Sequence, residues 1–205
     1  MENDWEPCYG SDSLEVIEEK KIFDGHFKSF ETTYKFKKFN KDWSNTISRI
    51  RIDKCKAAAV LLYCPNDDTV LLIEQARHAV TSCEINSPWI LDIVAGHIEN
   101  GDNPEDTAIR ESVEEAGIHI DKLIFINEYL ASCGHSNEVT YVFCGIVNNS
   151  FPGSSNHGLV EEEEDIKTHI FKTETAIKLM DTGKIVTASA VIALQWLKLK
   201  IIDKS

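Results

Sequence analysis

Between Gly96 and Gly117 the chain reads GHIENGDNPEDTAIRESVEEAG, which sets an arginine and three glutamates at helical spacing between two glycines. Asn103 ahead of Pro104 is an N-cap signal and Gly117 a stop signal, so the spacing predicts one helix from about Pro104 to Ala116. Glu111 and Glu115 then share a face with Glu114 beside them, and Arg110 stands one turn from Glu114, where the two can pair. Carboxylates packed so closely raise one another's pKa and cost stability unless a cation neutralises them. An all-oxygen donor set favours a hard ion such as magnesium or manganese. Most acidic helix faces are simply solvated. The balance shifts here because VAGHIENGD, a glycine-bearing strand-to-loop segment, runs directly into the helix, and loops of that kind turn backbone groups toward a ligand.

Length and charge constrain the chain less sharply. The 205 residues, 42% hydrophobic and 27% charged, describe one globular unit with a sizeable core and room for a small extra subdomain. A formal charge of −13 argues against a nucleic-acid surface, because polyanion binding relies on clustered Lys and Arg to displace counterions. The same excess repels an anionic substrate, so a site for one must bring its own cations and arginines. Six cysteines, at 8, 55, 64, 83, 133 and 144, form no Cys-x-x-Cys pair and no zinc-like spacing with histidine, and reduced thiols are expected. No apolar run approaches the ~20 residues a bilayer demands, and MENDWEPCYGSDS lacks the Arg-rich, acid-poor character of a transit peptide. The expectation is a cytoplasmic protein with neither membrane nor nucleic acid as partner.

Residues up to about Arg51 differ in character from the rest. Phe27 to Phe39, FKSFETTYKFKKF, interleaves aromatic and polar side chains in near period two, the mark of half-buried antiparallel strands. This predicts a small N-terminal β-subdomain over residues 1–55 ahead of a main domain over 56–205. In the main domain, patterning predicts strands near 57–63, 69–76, 89–94, 121–131 and 139–147. Helices are expected near 173–181 and 188–201 besides the acidic one. That order describes an α/β chain of the α+β sandwich kind, a mixed sheet between helices. The last helix carries apolar residues at 191, 194, 197 and 201 and should face the core, with Trp196 in packing or a subunit contact.

The acidic segment resembles the Nudix box, whose pattern is Gly, five residues, Glu, seven residues, Arg-Glu, an aliphatic residue, any residue, Glu-Glu, any residue, Gly and an aliphatic residue. Gly96, Arg110, Glu111, Glu114, Glu115, Gly117 and Ile118 fall in register, while Asp102 replaces the first glutamate and Ser112 the aliphatic residue. The shorter Asp102 weakens a salt bridge made by that glutamate in the family, and Ser112 puts a hydroxyl where the helix packs inward. Outside the box the chain is similar to the ADP-ribose pyrophosphatase branch of the family. AAAVLLYCPNDDTVLLIEQARHAV and PWILDIVAG resemble its upstream strands, and HGLVEEEEDI and ASAVIALQWLKL resemble its acidic loop and last helix.

The resemblance implies the Nudix fold and a division of labour among residues. Glu111, Glu114, Glu115, Glu164 and the carbonyl of Ala95 would hold magnesium, with manganese as an alternative, and Arg110, Glu115 and Glu162 would serve catalysis. Glu162 matches the general base, and Glu161 or Glu163 remains an alternative in the same run of acids, which by itself reads as a solvated loop. Arg77 and Arg49 match diphosphate contacts, with Arg51 as alternative to Arg49. Glu138 matches a contact to the terminal ribose, and His26 stands where the branch stacks an aromatic residue on adenine. A homodimer through the N-terminal sheet is implied in the same way.

The expected substrate is a nucleoside diphosphate sugar, foremost ADP-ribose cleaved to AMP and ribose 5-phosphate. Two departures keep other substrates open: Cys133 replaces a proline typical of the ADP-ribose branch, and His26 offers a smaller π-face than an aromatic ring. UDP-glucose cleaved to UMP and a sugar 1-phosphate is the alternative. Cap or dinucleoside polyphosphate hydrolysis and a non-catalytic nucleotide-sugar sensor are more distant ones.

Overall fold

A computed structural model describes residues 5–83, 85, 87–99, 101–159, 161 and 163–202. The chain divides into two compact units, Met1–Cys55 with Ser132–Glu138, and Lys56–Ala131 with Val139–Ser205.

The first unit is a three-stranded antiparallel sheet of β1 (Leu14–Asp24), β2 (Lys28–Phe36) and β3 (Ile47–Asp53), in that order. The period-two segment forms β2 but stops three residues short of Phe39, because Lys38 to Asp42 turn back on themselves with Lys41 at a positive φ of 73°. Arg51 is committed within this sheet: it pairs with Glu19 at 3.1 Å and Asp53 at 3.0 Å and lies over the Phe30 ring. Ser132–Glu138 joins this unit through backbone pairing. The Ile52 N–H donates to the His135 carbonyl at 2.7 Å, and the Lys54 N–H donates to Asn137 Oδ1 at 2.9 Å.

In the second unit the strands are β4 (Ala57–Cys64), β5 (Thr69–Ala76), β6 (Trp89–Asp92), β7 (Val94–His97), β8 (Lys122–Leu130), β9 (Val139–Ile146), β10 (Asn156–His157) and β11 (Ile166–Lys172). The helices are α1 (Pro104–Glu114), α2 (Thr173–Asp181) and α3 (Ala188–Ile202). The sheet runs β10-β11-β5-β4-β9-β8 and is mixed, since β4 and β9 are parallel while their other neighbours are antiparallel. Strand β4 shows why helices cover both faces: it is apolar at every position but the pleat sends alternate side chains opposite ways. Ala58, Val60 and Leu62 pack with Ala108 of α1, and Ala59 and Leu61 pack with Ala176 of α2 and Leu194 of α3. Trp196 is half-buried against the second of these clusters, in keeping with a packing role.

One strand expected near 89–94 is two. Direct pairing of β4 with β5 covers only Leu62–Cys64 opposite Thr69–Leu71; beyond that the sheet parts, β6 takes the freed edge of β5 and β7 the freed edge of β4, with Ile93 between. Strands β10 and β11, absent from the periodicity reading, extend the sheet beyond β5. Their sequence, IKTHIFK in β11, mixes polar and apolar residues too evenly to stand out.

Helix α1 begins as its sequence says. Asn103 Oδ1 accepts the Asp106 N–H at 2.7 Å, Pro104 fills the first turn, and Asn103→Ala should lower stability by about 1 kcal/mol in urea unfolding. At its other end Gly117, at φ 66°, donates to the Val113 carbonyl and Ile118 to the Ser112 carbonyl, which stops the helix two residues earlier than expected. Ser112 is fully buried, yet its hydroxyl lies 2.8 Å from the carbonyls of both Ile109 and Ile118 and so has an acceptor where an aliphatic side chain would have none to need.

Candidate active site

The carboxylates of α1 meet the end of β7 at close range. Glu115 is only 3% exposed, and its Oε2 accepts the Ala95 N–H at 2.9 Å. Gly96, the next residue, lies so close to Glu111 that a methyl group there would overlap the Glu111 carboxylate. Arg110 bridges the outer pair, with Nη2 2.8 Å from Glu111 and Nη1 2.6 Å from Glu114.

Burial dominates the electrostatics. It pushes Glu115 up to about 8; the Ala95 N–H and Arg77 oppose this, and the charges of Glu111 and Glu164 reinforce it. Glu111 is raised for the same first reason, with Arg110 opposing and Glu114 and Glu164 adding. Burial alone would lower the pKa of Arg110, but the two neighbouring glutamates hold it above its ordinary value. Glu115 thus lies in the fields of Glu111, Glu164 and Arg77, and Glu111 in those of Arg110, Glu114 and Glu164.

Glu164 is held in its own loop, where the Leu159 N–H donates to its Oε2 at 3.2 Å. Arg77 follows β5, is exposed, and is anchored by its N–H to the Pro88 carbonyl at 2.8 Å. Arg49, Glu138 and His26 belong to the first unit. Arg49 is exposed, Glu138 pairs with Lys54 Nζ at 2.8 Å, and His26 is exposed in the turn between β1 and β2. Glu162 lies outside the described residues. Asp102 makes no ion pair among the described residues, and Arg110 is paired with Glu111 and Glu114.

The donors suit a hard divalent cation in kind, since they are carboxylate and carbonyl oxygens, and the raised proton affinity of Glu111 and Glu115 is what a cation would reverse. Among the described residues no three His, Cys, Asp or Glu side chains stand together as a ready ligand set. Glu111 is turned to Arg110 and Glu115 to the Ala95 N–H.

Two residues at this site went unread in the sequence. Asp92 is 7% exposed at the parting of the sheet, where Oδ1 accepts from the Thr187 hydroxyl at 2.6 Å and the Ile93 N–H at 2.8 Å. Its signal was a lone acid in the apolar run PWILDIVAG. His157 packs over Gly117 and carried no signal beyond its place before a glycine.

The model of the NUDIX domain matches residues 54–188. The chain belongs to the Nudix family. Nudix relatives extend the likeness along nearly the whole chain. It is 38% identical over 193 residues to the ADP-ribose pyrophosphatase of Haemophilus influenzae, covering 93% of this chain and 88% of that one. It is 36% identical over 191 residues to the ADP-ribose pyrophosphatase of Escherichia coli strain K12, covering 93% and 90%. A crystal structure described as an ADP compounds hydrolase superposes with a TM-score of 0.70 at 15% identity, covering 94% of this chain and 96% of that one, a likeness of fold. Nudix hydrolases generally use divalent metal ions. No helix among the described residues of this Nudix chain is long and apolar enough to cross a membrane.

Proposed function

We propose that this Nudix protein hydrolyses the diphosphate bond of ADP-ribose, releasing AMP and ribose 5-phosphate, with magnesium as the working ion and manganese as a substitute. The observation that carries the reading is Glu115, a buried carboxylate bound by the Ala95 N–H and facing the charges of Glu111 and Glu164. Identity of 36–38% to ADP-ribose pyrophosphatases along more than nine-tenths of the chain supports the choice of substrate.

Divalent cations bound by Glu111, Glu115, Glu164 and the Ala95 carbonyl, with Glu114 beside them, would neutralise the diphosphate and lower the pKa of a bound water. Arg110 holds Glu111 and Glu114 in place through its two ion pairs. Arg77 and Arg49 offset the remaining phosphate charge. Glu162 takes a proton from the attacking water; the new P–O bond forms as the bridging P–O bond breaks, and the departing phosphate carries the electron pair. Glu138 and His26 contact the terminal ribose and the base.

We further propose a cytoplasmic homodimer in which residues 1–55 act as the dimerisation element. Support comes from β1, which is exposed along its whole length although it carries Leu14, Val16, Ile17, Ile22 and Phe23.

The test is product analysis with ADP-ribose, UDP-glucose and magnesium, beside Glu162→Gln. AMP and ribose 5-phosphate should appear, and the variant should lose about 10²–10⁴ in kcat while still binding substrate. UMP and glucose 1-phosphate would instead make Cys133 and His26 markers of a uridine sugar enzyme. A substrate that raises thermal stability without being cleaved would make the protein a sensor.

A further inference from the structure

Glu164 comes from a chain segment remote from α1, yet its charge acts on both Glu111 and Glu115. Residues 157 to 159 explain how it is held there. Gly158, at φ 106°, approaches so closely that a Cβ on it would lie 2.7 Å from Glu164 Cβ and 2.8 Å from the Glu164 carbonyl oxygen. Leu159 closes the loop from the other side: its N–H donates to Glu164 Oε2 and its carbonyl accepts the Glu164 N–H, both at 3.2 Å.

His157 ties these residues to the helix. A Cβ on Gly117 would meet His157 Cε1 at 2.7 Å, so the imidazole is seated on the glycine that ends α1. Gly117 therefore serves twice, supplying a positive φ for the helix stop and leaving space for a ring. The ring is braced from behind, with Nε2 2.6 Å from Ser155 Oγ. Ser155 is fastened in turn to the fully buried Thr168 of β11. Its N–H donates to Thr168 Oγ1 at 2.8 Å, and that hydroxyl donates back to the Ser155 carbonyl at 3.1 Å.

We propose that His157 is a positioning residue whose ring, seated on Gly117 and braced by Ser155, sets where Gly158 and Leu159 hold Glu164 relative to Glu111 and Glu115. The inference rests on the reading of these three glutamates as metal ligands. The physical need is registration. A cation demands ligand oxygens placed to within about 0.5 Å, and two separate segments meet that demand only if something fixes one against the other. The contact of His157 with Gly117 is such a fixture, between the end of α1 and the residues that hold Glu164.

The experiment is a Mn²⁺ titration, free ion followed by electron paramagnetic resonance, on His157→Ala and His157→Phe, each with and without Glu164→Gln. His157→Ala should weaken Mn²⁺ binding about tenfold, the scale for residues that orient a metal ligand, and should weaken it no further once Glu164→Gln is present. His157→Phe, which keeps a ring on Gly117, should stay within about twofold of the native protein. Should His157→Ala fail to fold, His157→Leu, which fills much of the space but puts no ring on Gly117, carries the same pair of comparisons. Native-like binding in His157→Ala, an equal weakening in both backgrounds, or a Phe variant as weak as the Ala variant would each overturn the proposal. A native protein that binds no Mn²⁺ overturns the metal reading and this role with it. Binding differences that hold while ADP-ribose goes uncleaved overturn the reaction alone.

Discussion

Glu115→Gln should give a protein that is more stable than the native one without metal at pH 8 and nearly inactive with it. Folding raises the Glu115 pKa from 4.5 to about 8, chiefly by burial, so the folded state holds the proton more tightly than the unfolded chain does. For an acid shifted in this direction, the stability is fully present below about pH 4.5 and is lost as pH rises through about 8. The loss in the metal-free protein is on the order of 4 kcal/mol. Glutamine has no charge to bury and its amide oxygen can still accept the Ala95 N–H, so the variant escapes the loss. The native protein should recover it by binding magnesium, which prefers the ionised carboxylate. Activity of the variant should fall on the order of 10³-fold, the upper end for removal of one preorganised group that stabilises charge. Thermal melts at pH 5.5 and 8, with magnesium and with chelator, together with kcat, check this. A metal-free variant no more stable than native at pH 8 would refute the account of Glu115 as a buried, strained carboxylate.

Gly96→Ala should cost about 10² in kcat while the protein stays folded. Gly96 lies on β7 opposite Ala58, in backbone any small residue tolerates, so the strand itself should accept a methyl group. The Glu111 carboxylate should not accept it, because it occupies the space the methyl group would take. Glu111 must then swing away, which breaks its 2.8 Å pairing with Arg110 and moves a ligand by an ångström or more. Displacements of that size in a site built for in-line phosphoryl chemistry are expensive in rate. Steady-state kinetics across magnesium concentration, with circular dichroism as the control for folding, make the measurement. Native kcat in a folded Gly96→Ala would show that Glu111 has room to spare.

The first link of the site was legible from local rules. A side-chain cap, a proline and a glycine bounded α1 to within two residues, and the 3.6-residue period placed Arg110, Glu111, Glu114 and Glu115 together. The acceptance of Ser112 was only half legible: the Ile109 carbonyl one turn back is a local acceptor, but the Ile118 carbonyl that also lies 2.8 Å from the hydroxyl is beyond the turn. Arg49 and Arg51 looked interchangeable in SRIRI; Arg51 proves to be engaged by Glu19, thirty-two residues away in the chain, which no local pattern reports.

Sequence alone determined where the helices lie to within two residues, where five stretches of strand run in the main domain, and that carboxylates crowd one face of α1, because caps, periodicity and charge spacing act within a few residues. Only the tertiary structure decided how those carboxylates behave. Burial of Glu115 against β7, the parting of β4 from β5, the joining of Ser132–Glu138 to the first unit, and the seating of His157 on Gly117 are all contacts between segments distant in the chain. A carboxylate's proton affinity depends on what excludes water from it, and that is set by residues the local sequence does not contain.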